Sequence, residues 1–185
     1  MRHLAGLLVG GLWIAVLVVW VALAPATKRT VERRRVPVRL LVLLLVAVVV
    51  TARAGAQGHA VLWHAGPVFS LVALAVVAAG MAFAVWARLT LGRNWSGAVV
   101  RKEDHELVER GPYALVRHPI YTGLLAMLLG TLLLTGLVAD LVVFVGVVVG
   151  LAFKAREEER LMLATFPSEY PAYRRRVKAI IPFVL

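Results

Sequence analysis

The feature that most narrows what this chain can become is a stretch of 21 residues, 4–24, LAGLLVGGLWIAVLVVWVALA, with no charged side chain in it. At about 1.5 Å per residue a helix of that length reaches roughly 31 Å, which matches a bilayer hydrocarbon core of about 30 Å. In lipid every backbone polar group must be satisfied within the segment, so such a run folds as a helix. Further apolar runs cover residues 36–52, 67–87, 120–136 and 137–153, and 61% of the chain is hydrophobic, above the 45 to 50% typical of soluble domains. The fold class expected is therefore all-α, a multi-pass membrane helical bundle of about five transmembrane helices.

Local signals refine that picture. Ala22-Leu-Ala-Pro-Ala26 has the small residues of a cleavage site, but the apolar run is longer than the 7 to 15 residues of a signal core and positive charge follows it, so it reads as a span. Only residues 136–140 separate the last two runs, which predicts a tight C-terminal helical hairpin. The pairs Gly6/Gly10 and Gly146/Gly150 predict close helix approach. With no cysteine, disulfides, thiolate metal sites, cysteine nucleophiles and prenylation or palmitoylation of the chain itself are excluded.

Of 21 Lys and Arg, all but Arg2 and Arg53 flank the spans on one side. By the positive-inside rule this sets the chain in a cell membrane with its N-terminus outside and its C-terminus cytosolic. The net charge of +11 then belongs to span flanks, where it attracts anionic membrane lipids. No nucleic-acid-binding motif accompanies it.

The chain divides into residues 1–87, three N-terminal spans, and residues 88–185, where polar segments 88–119 and 154–185 flank the hairpin. Trp86 and Trp95 suit the membrane-water boundary. Ser168 is placed to cap a short helix with Pro171 in its first turn, and Tyr170, Tyr173, Val177 and Ile180 form an apolar stripe, as in an interfacial helix. His59 and His64 read as interfacial polar residues rather than a metal site, and His105 as part of a solvated loop.

Two polar groups stand out. In GPYALVRHPIYTG, residues 111–123, Pro119 pre-sets a first helical turn beside Arg117 and His118. The N–H groups of Ile120, Tyr121 and Thr122 would then make an anion-friendly helix end. The plainer alternative is that Arg117 snorkels to headgroups while His118 caps. In KAREEERLM, residues 154–162, neighbours lie about 100° apart, so Glu157, Glu158 and Glu159 cannot share one direction. Glu158 and Glu159 have the more apolar companions and are the better candidates for inward carboxylates; a solvated charge run is the alternative. Both groups emerge at one end of the hairpin. A small molecule with an α-amino and an α-carboxylate group would satisfy them together, with Tyr113 and Tyr121 as faces for a base or a sulfonium.

Leu107-Val-x-x-Gly111-Pro-Tyr-x-x-Val-Arg-His-Pro-x-Tyr-x-Gly123, followed by Glu-Glu-Glu-x-Leu-x-x-x-Phe and Tyr170-x-x-Tyr173, resembles the isoprenylcysteine carboxyl methyltransferase and phospholipid methyltransferase family over about residues 87–183. The resemblance implies an integral membrane methyltransferase using S-adenosyl-L-methionine and a lipidic methyl acceptor. It implies a cofactor site of Arg117, His118, Pro119, Tyr121, Gly123, Glu158 and Glu159 with Tyr113 flanking, and no metal; Glu158 and Arg117 are the residues expected at the chemistry. Pro167 departs from the glycine the family commonly has there. Carboxyl O-methylation of an isoprenylcysteine-type acceptor is the expected reaction. A phospholipid or lipid-amine N-methyltransferase and a non-catalytic membrane scaffold are the competing readings.

Overall fold

A computed structural model describes residues 2–23, 30–33, 60–92, 100–102 and 107–181. The expected span at 36–52, and with it His59, Trp95 and His105, lies outside the described residues. The elements are helix α1 (Arg2–Ala22), strand β1 (Thr30–Arg33), helix α2 (Pro67–Leu91), strand β2 (Val100–Lys102), a 3-10 turn (Gly111–Ala114), and helices α3 (Pro119–Thr135), α4 (Val138–Thr165) and α5 (Glu169–Arg176). Three of these, α1, α2 and α4, are long and apolar enough to cross a membrane, and α3 is a shorter apolar helix of 17 residues. The expected helical membrane bundle is what forms, with one addition the apolar pattern did not show. β1 and β2 pair antiparallel, with Thr30 opposite Lys102 and Arg33 opposite Val100.

The bundle is organised by a seam of small residues where α2 meets α3, its most extensive helix contact. A Cβ on Gly80 would fall 2.7 Å from the Gly123 carbonyl oxygen, and one on Gly123 would fall 2.6 Å from that of Gly80. At Gly130 it would meet Val77 Cγ2 at 2.6 Å and the Ala73 carbonyl at 2.8 Å. Backbones this close gain dispersion contacts that lipid tails do not out-compete. At Gly6, Gly10 and Gly150 nothing among the described residues comes within 4 Å of a Cβ. Instead α1 buries Ala5, Val9 and Val16 against Ala73, Val77, Met127 and Leu134, and Trp13 Nε1 donates to Thr131 Oγ1 at 3.1 Å.

The hairpin turns as expected. Gly136 adopts φ +66°, and its Cβ position is closed by the Trp63 carbonyl. Asp140, buried at the start of α4, accepts from Thr135 Oγ1 at 2.6 Å. The face of α4 carrying Val142, Val145, Val149 and Phe153 is exposed, as suits lipid contact. Charge begins at Lys154, so 138–153 is the apolar part of the helix, and 154–165 continues as helix beyond it.

Boundaries moved at two places. α2 runs on to Leu91, past the expected end at residue 87, because Arg88 is buried rather than loop-borne: Nη2 donates to Leu23 O at 2.6 Å and Nη1 to Gly92 O at 2.9 Å. Ser168 precedes α5 in the right place but has helical backbone angles and makes no side-chain cap bond. The Tyr170, Tyr173 and Val177 stripe is buried against Leu107, Met162, Leu163 and Phe166, so it faces protein and not a membrane interface.

Candidate functional site

α3 begins at Pro119 with His118 as the preceding cap residue in non-helical geometry, as the proline demands. The His118 side chain makes no cap bond, which leaves its ring free to turn across to α4. On α4, Glu158 and Glu159 are adjacent and about 100° apart, so a single ring can stand between them. That is the arrangement found. His118 Nδ1 lies 3.6 Å from Glu158 Oε2, and Nε2 lies 3.3 Å from Glu159 Oε1.

The two carboxylates have different company. Glu159 Oε1 accepts from Arg117 Nε at 2.9 Å and from Nη2 at 2.6 Å, while Oε2 stands 3.4 Å from Arg174 Nε. Arg117 Nη1 donates to the carbonyls of Arg174, at 3.3 Å, and Val177. Every polar nitrogen of that guanidinium is occupied within the protein. Glu158 Oε1 accepts from the Tyr121 hydroxyl at 2.6 Å and lies 3.6 Å from Lys154 Nζ. Lys154 Nζ is also 5.2 Å from the centroid of the Tyr121 ring, on which His118 stacks with planes 3° apart. The Glu158 side chain is 24% exposed against 13% for Glu159, which makes Glu158 the more accessible of two partly buried carboxylates.

Burial alone pushes the His118 imidazole down, yet hydrogen bonds to Glu158 and Glu159 carry it above its usual value. A cationic ring donates from Nε2 to Glu159 and stands within ion-pair range of Glu158 through Nδ1. Tyr113 is buried in the 3-10 turn, and burial followed by the Glu158 charge pushes its phenol up. Its carbonyl accepts from the Tyr173 hydroxyl at 2.7 Å, which ties α5 to the turn.

The structure thus brings together Arg117, His118, Tyr121, Glu158 and Glu159, with Pro119 setting the turn. Gly123 stands apart in the α2–α3 seam, where its constraint is packing. Glu157 pairs with Arg160 on the outer face. The open N–H row expected at the start of α3 is shortened, since Thr122 N–H donates to His118 O at 3.1 Å. Two contributors escaped sequence reasoning. Lys154 was visible only through its i,i+4 spacing to Glu158, and nothing in the order of residues marks Arg174 out from its basic neighbours.

The model of the isoprenylcysteine carboxyl methyltransferase (ICMT) family matches residues 71–164, which include most of α2, all of α3 and the glutamate pair. The protein-S-isoprenylcysteine O-methyltransferase of Schizosaccharomyces pombe is 33% identical over 121 residues, covering 63% of this chain and 51% of that protein. The cobalt-zinc-cadmium resistance protein CzcN of Cupriavidus metallidurans is 36% identical over 100 residues, covering 50% of this chain and 44% of that protein. A solved structure of the eukaryotic intramembrane Ras methyltransferase ICMT shares the fold with a TM-score of 0.52 at 22% identity, covering 83% of this chain and 55% of that one. The chain spans about half the length of the curated relatives it matches. Since the family match takes in half of the chain and holds both polar clusters that meet at the hairpin, this membrane protein belongs to the isoprenylcysteine carboxyl methyltransferase family.

Proposed function

We propose that the chain transfers a methyl group from S-adenosyl-L-methionine to the carboxylate of a lipidic, isoprenylcysteine-type acceptor. The observation that carries this reading is the more accessible half of the cluster: Glu158, the Tyr121 ring and Lys154 at the polar end of an apolar bundle. A carboxylate beside an aromatic face already holds one cation there, Lys154, and the same donor set suits an α-ammonium or a sulfonium. The residues present therefore fit the cofactor.

Bound there, the cofactor would supply an electrophilic methyl on a sulfonium, with the C–S bond breaking as the acceptor oxygen takes the methyl, and Glu158 and Tyr121 would be the residues that hold it. No proton moves, because a carboxylate with a model value near 4 is already ionised. The protein's share is alignment and exclusion of water. Glu158 and Tyr121 hold the cation. Lys154, one helical turn nearer the apolar segment than Glu158, is the first charge an acceptor carboxylate meets when it enters from lipid. Arg117 acts as a positioning residue that fixes Glu159 and, through it, His118. The positive flanks set this end on the cytosolic side, with the N-terminus outside. Residues 88–185 form the catalytic region and 1–87 its anchor.

Incubation with methyl-labelled S-adenosylmethionine and N-acetyl-S-farnesylcysteine tests the reading. The expected product is a base-labile ester. Label in a base-stable methylamine after incubation with total lipid, and none in the ester, would replace this reaction with N-methylation.

A further inference from the structure

Four consecutive backbone carbonyls just beyond α5 end on one short stretch of chain. Val177 O accepts from Arg117 Nη1, Lys178 O from the Arg117 N–H at 2.8 Å, Ala179 O from the His118 N–H at 2.9 Å, and Ile180 O from the Thr122 hydroxyl at 2.7 Å. In a regular strand successive carbonyls point to opposite sides. Sending four to the same partner takes a bent segment whose shape is imposed from outside. The ladder here amounts to one parallel bridge, Val116 with Lys178.

Three of the four bonds come from main-chain N–H groups or from Arg117, which Glu159 also holds in place. The fourth depends on side-chain identity. Thr122 has the intrahelical acceptor that a helical threonine commonly takes, His118 O, at 3.3 Å, but the shorter contact is the one to Ile180. Thr122 sits in α3 between Tyr121, which donates to Glu158, and Gly123, locked in the seam with α2. It is thus a direct hydrogen bond from the rigid helix itself to the segment. This segment lies outside residues 71–164, the part that matches the family.

We infer that residues 177–180 are a strap that braces the Arg117 and Glu159 side of the cluster and that Thr122 is the positioning residue that pins it, an inference that rests on the cofactor reading of Glu158. The strap carbonyls hold Arg117, Arg117 holds Glu159, and the ring of His118 is thereby set so that Glu158 is presented outward. Unpinning residue 180 loosens that chain of contacts from its end without touching a ligand-facing group.

The test compares wild type, Thr122→Val and Thr122→Ser in the full chain, purified in detergent, by titration calorimetry with S-adenosylhomocysteine and by hydrogen exchange. Val keeps the shape and removes the donor; Ser keeps the donor. The expected result is a three- to tenfold weaker Kd and faster exchange at the Arg117 and His118 N–H groups, which donate to the segment, in Val only, with Ser within twofold of wild type. In turnover, KM for S-adenosylmethionine rises with kcat nearly unchanged. Wild-type affinity and protection in Thr122→Val, or equal loss in Thr122→Ser, would overturn the positioning role. Absence of saturable binding to wild type would overturn the cofactor reading instead, and exchange at the Arg117 and His118 N–H groups then decides the strap by itself.

Discussion

Glu158 and Glu159 are neighbours in the chain, share one histidine, and have opposite situations. Glu159 accepts from Arg117 twice and stands beside Arg174, all of it tied to the carbonyls beyond α5. Glu158 has a phenol, a lysine and an imidazole around it and the larger exposed fraction. One turn of the backbone by about 100° is enough to make one carboxylate part of the scaffold and leave the other for a ligand. The lesson is that an acidic pair in sequence is not a pair in function.

The largest effect that bears on this contrast is on turnover. Glu158→Gln should lower kcat/KM for S-adenosylmethionine by at least about a hundredfold, the range for losing one preorganised charged contact. Its detergent-solubilised helicity and melting should stay close to wild type. Glu159→Gln should do the reverse, leaving Arg117 buried without its anion at a cost of about 3 kcal/mol, read as a lowered midpoint of thermal unfolding. If both variants lose activity equally and melt alike, the division between the two is wrong.

A smaller effect follows from the ring they share. His118 is raised in the folded protein, so the stabilisation it brings is complete below the unfolded value of 6.5 and disappears as pH rises through the folded one. Melting followed upward in pH from 6.5 should therefore show a falling midpoint, a decline absent in His118→Asn. A midpoint that climbs over that window would show that the imidazole is neutral between its two carboxylates. The smallest effect belongs to the third glutamate. Glu157 meets Arg160 on the outer face, and Glu157→Gln should change stability by no more than about 0.5 kcal/mol and leave turnover alone.

Much of this was readable in the residue order. Apolar runs of bilayer length gave the helices, because hydrocarbon leaves the backbone no alternative. Gly136 and the short break after it marked the hairpin, and the angular spacing along α4 separated Glu157 from the other two. What stayed hidden depends on partners distant in the chain. The helix seam uses Gly80, Gly123 and Gly130, which are not spaced four apart, while Gly6 and Gly10, which are, meet nothing among the described residues. Arg88 looked like the start of a loop because its acceptors, Leu23 and Gly92, are backbone carbonyls and leave no mark in composition. The Tyr170 and Tyr173 stripe had the right period, but period does not say whether lipid or protein covers it. The β1–β2 ladder is too short and too charged for alternation to show.

The most direct test of the central claim is calorimetric titration of S-adenosylmethionine into the full chain purified in detergent, wild type beside Glu158→Gln. Saturable one-to-one binding by wild type, weakened at least about tenfold in the variant with helicity unchanged, is the predicted result. Equal affinity in the two proteins would contradict the assignment of Glu158 to the ligand.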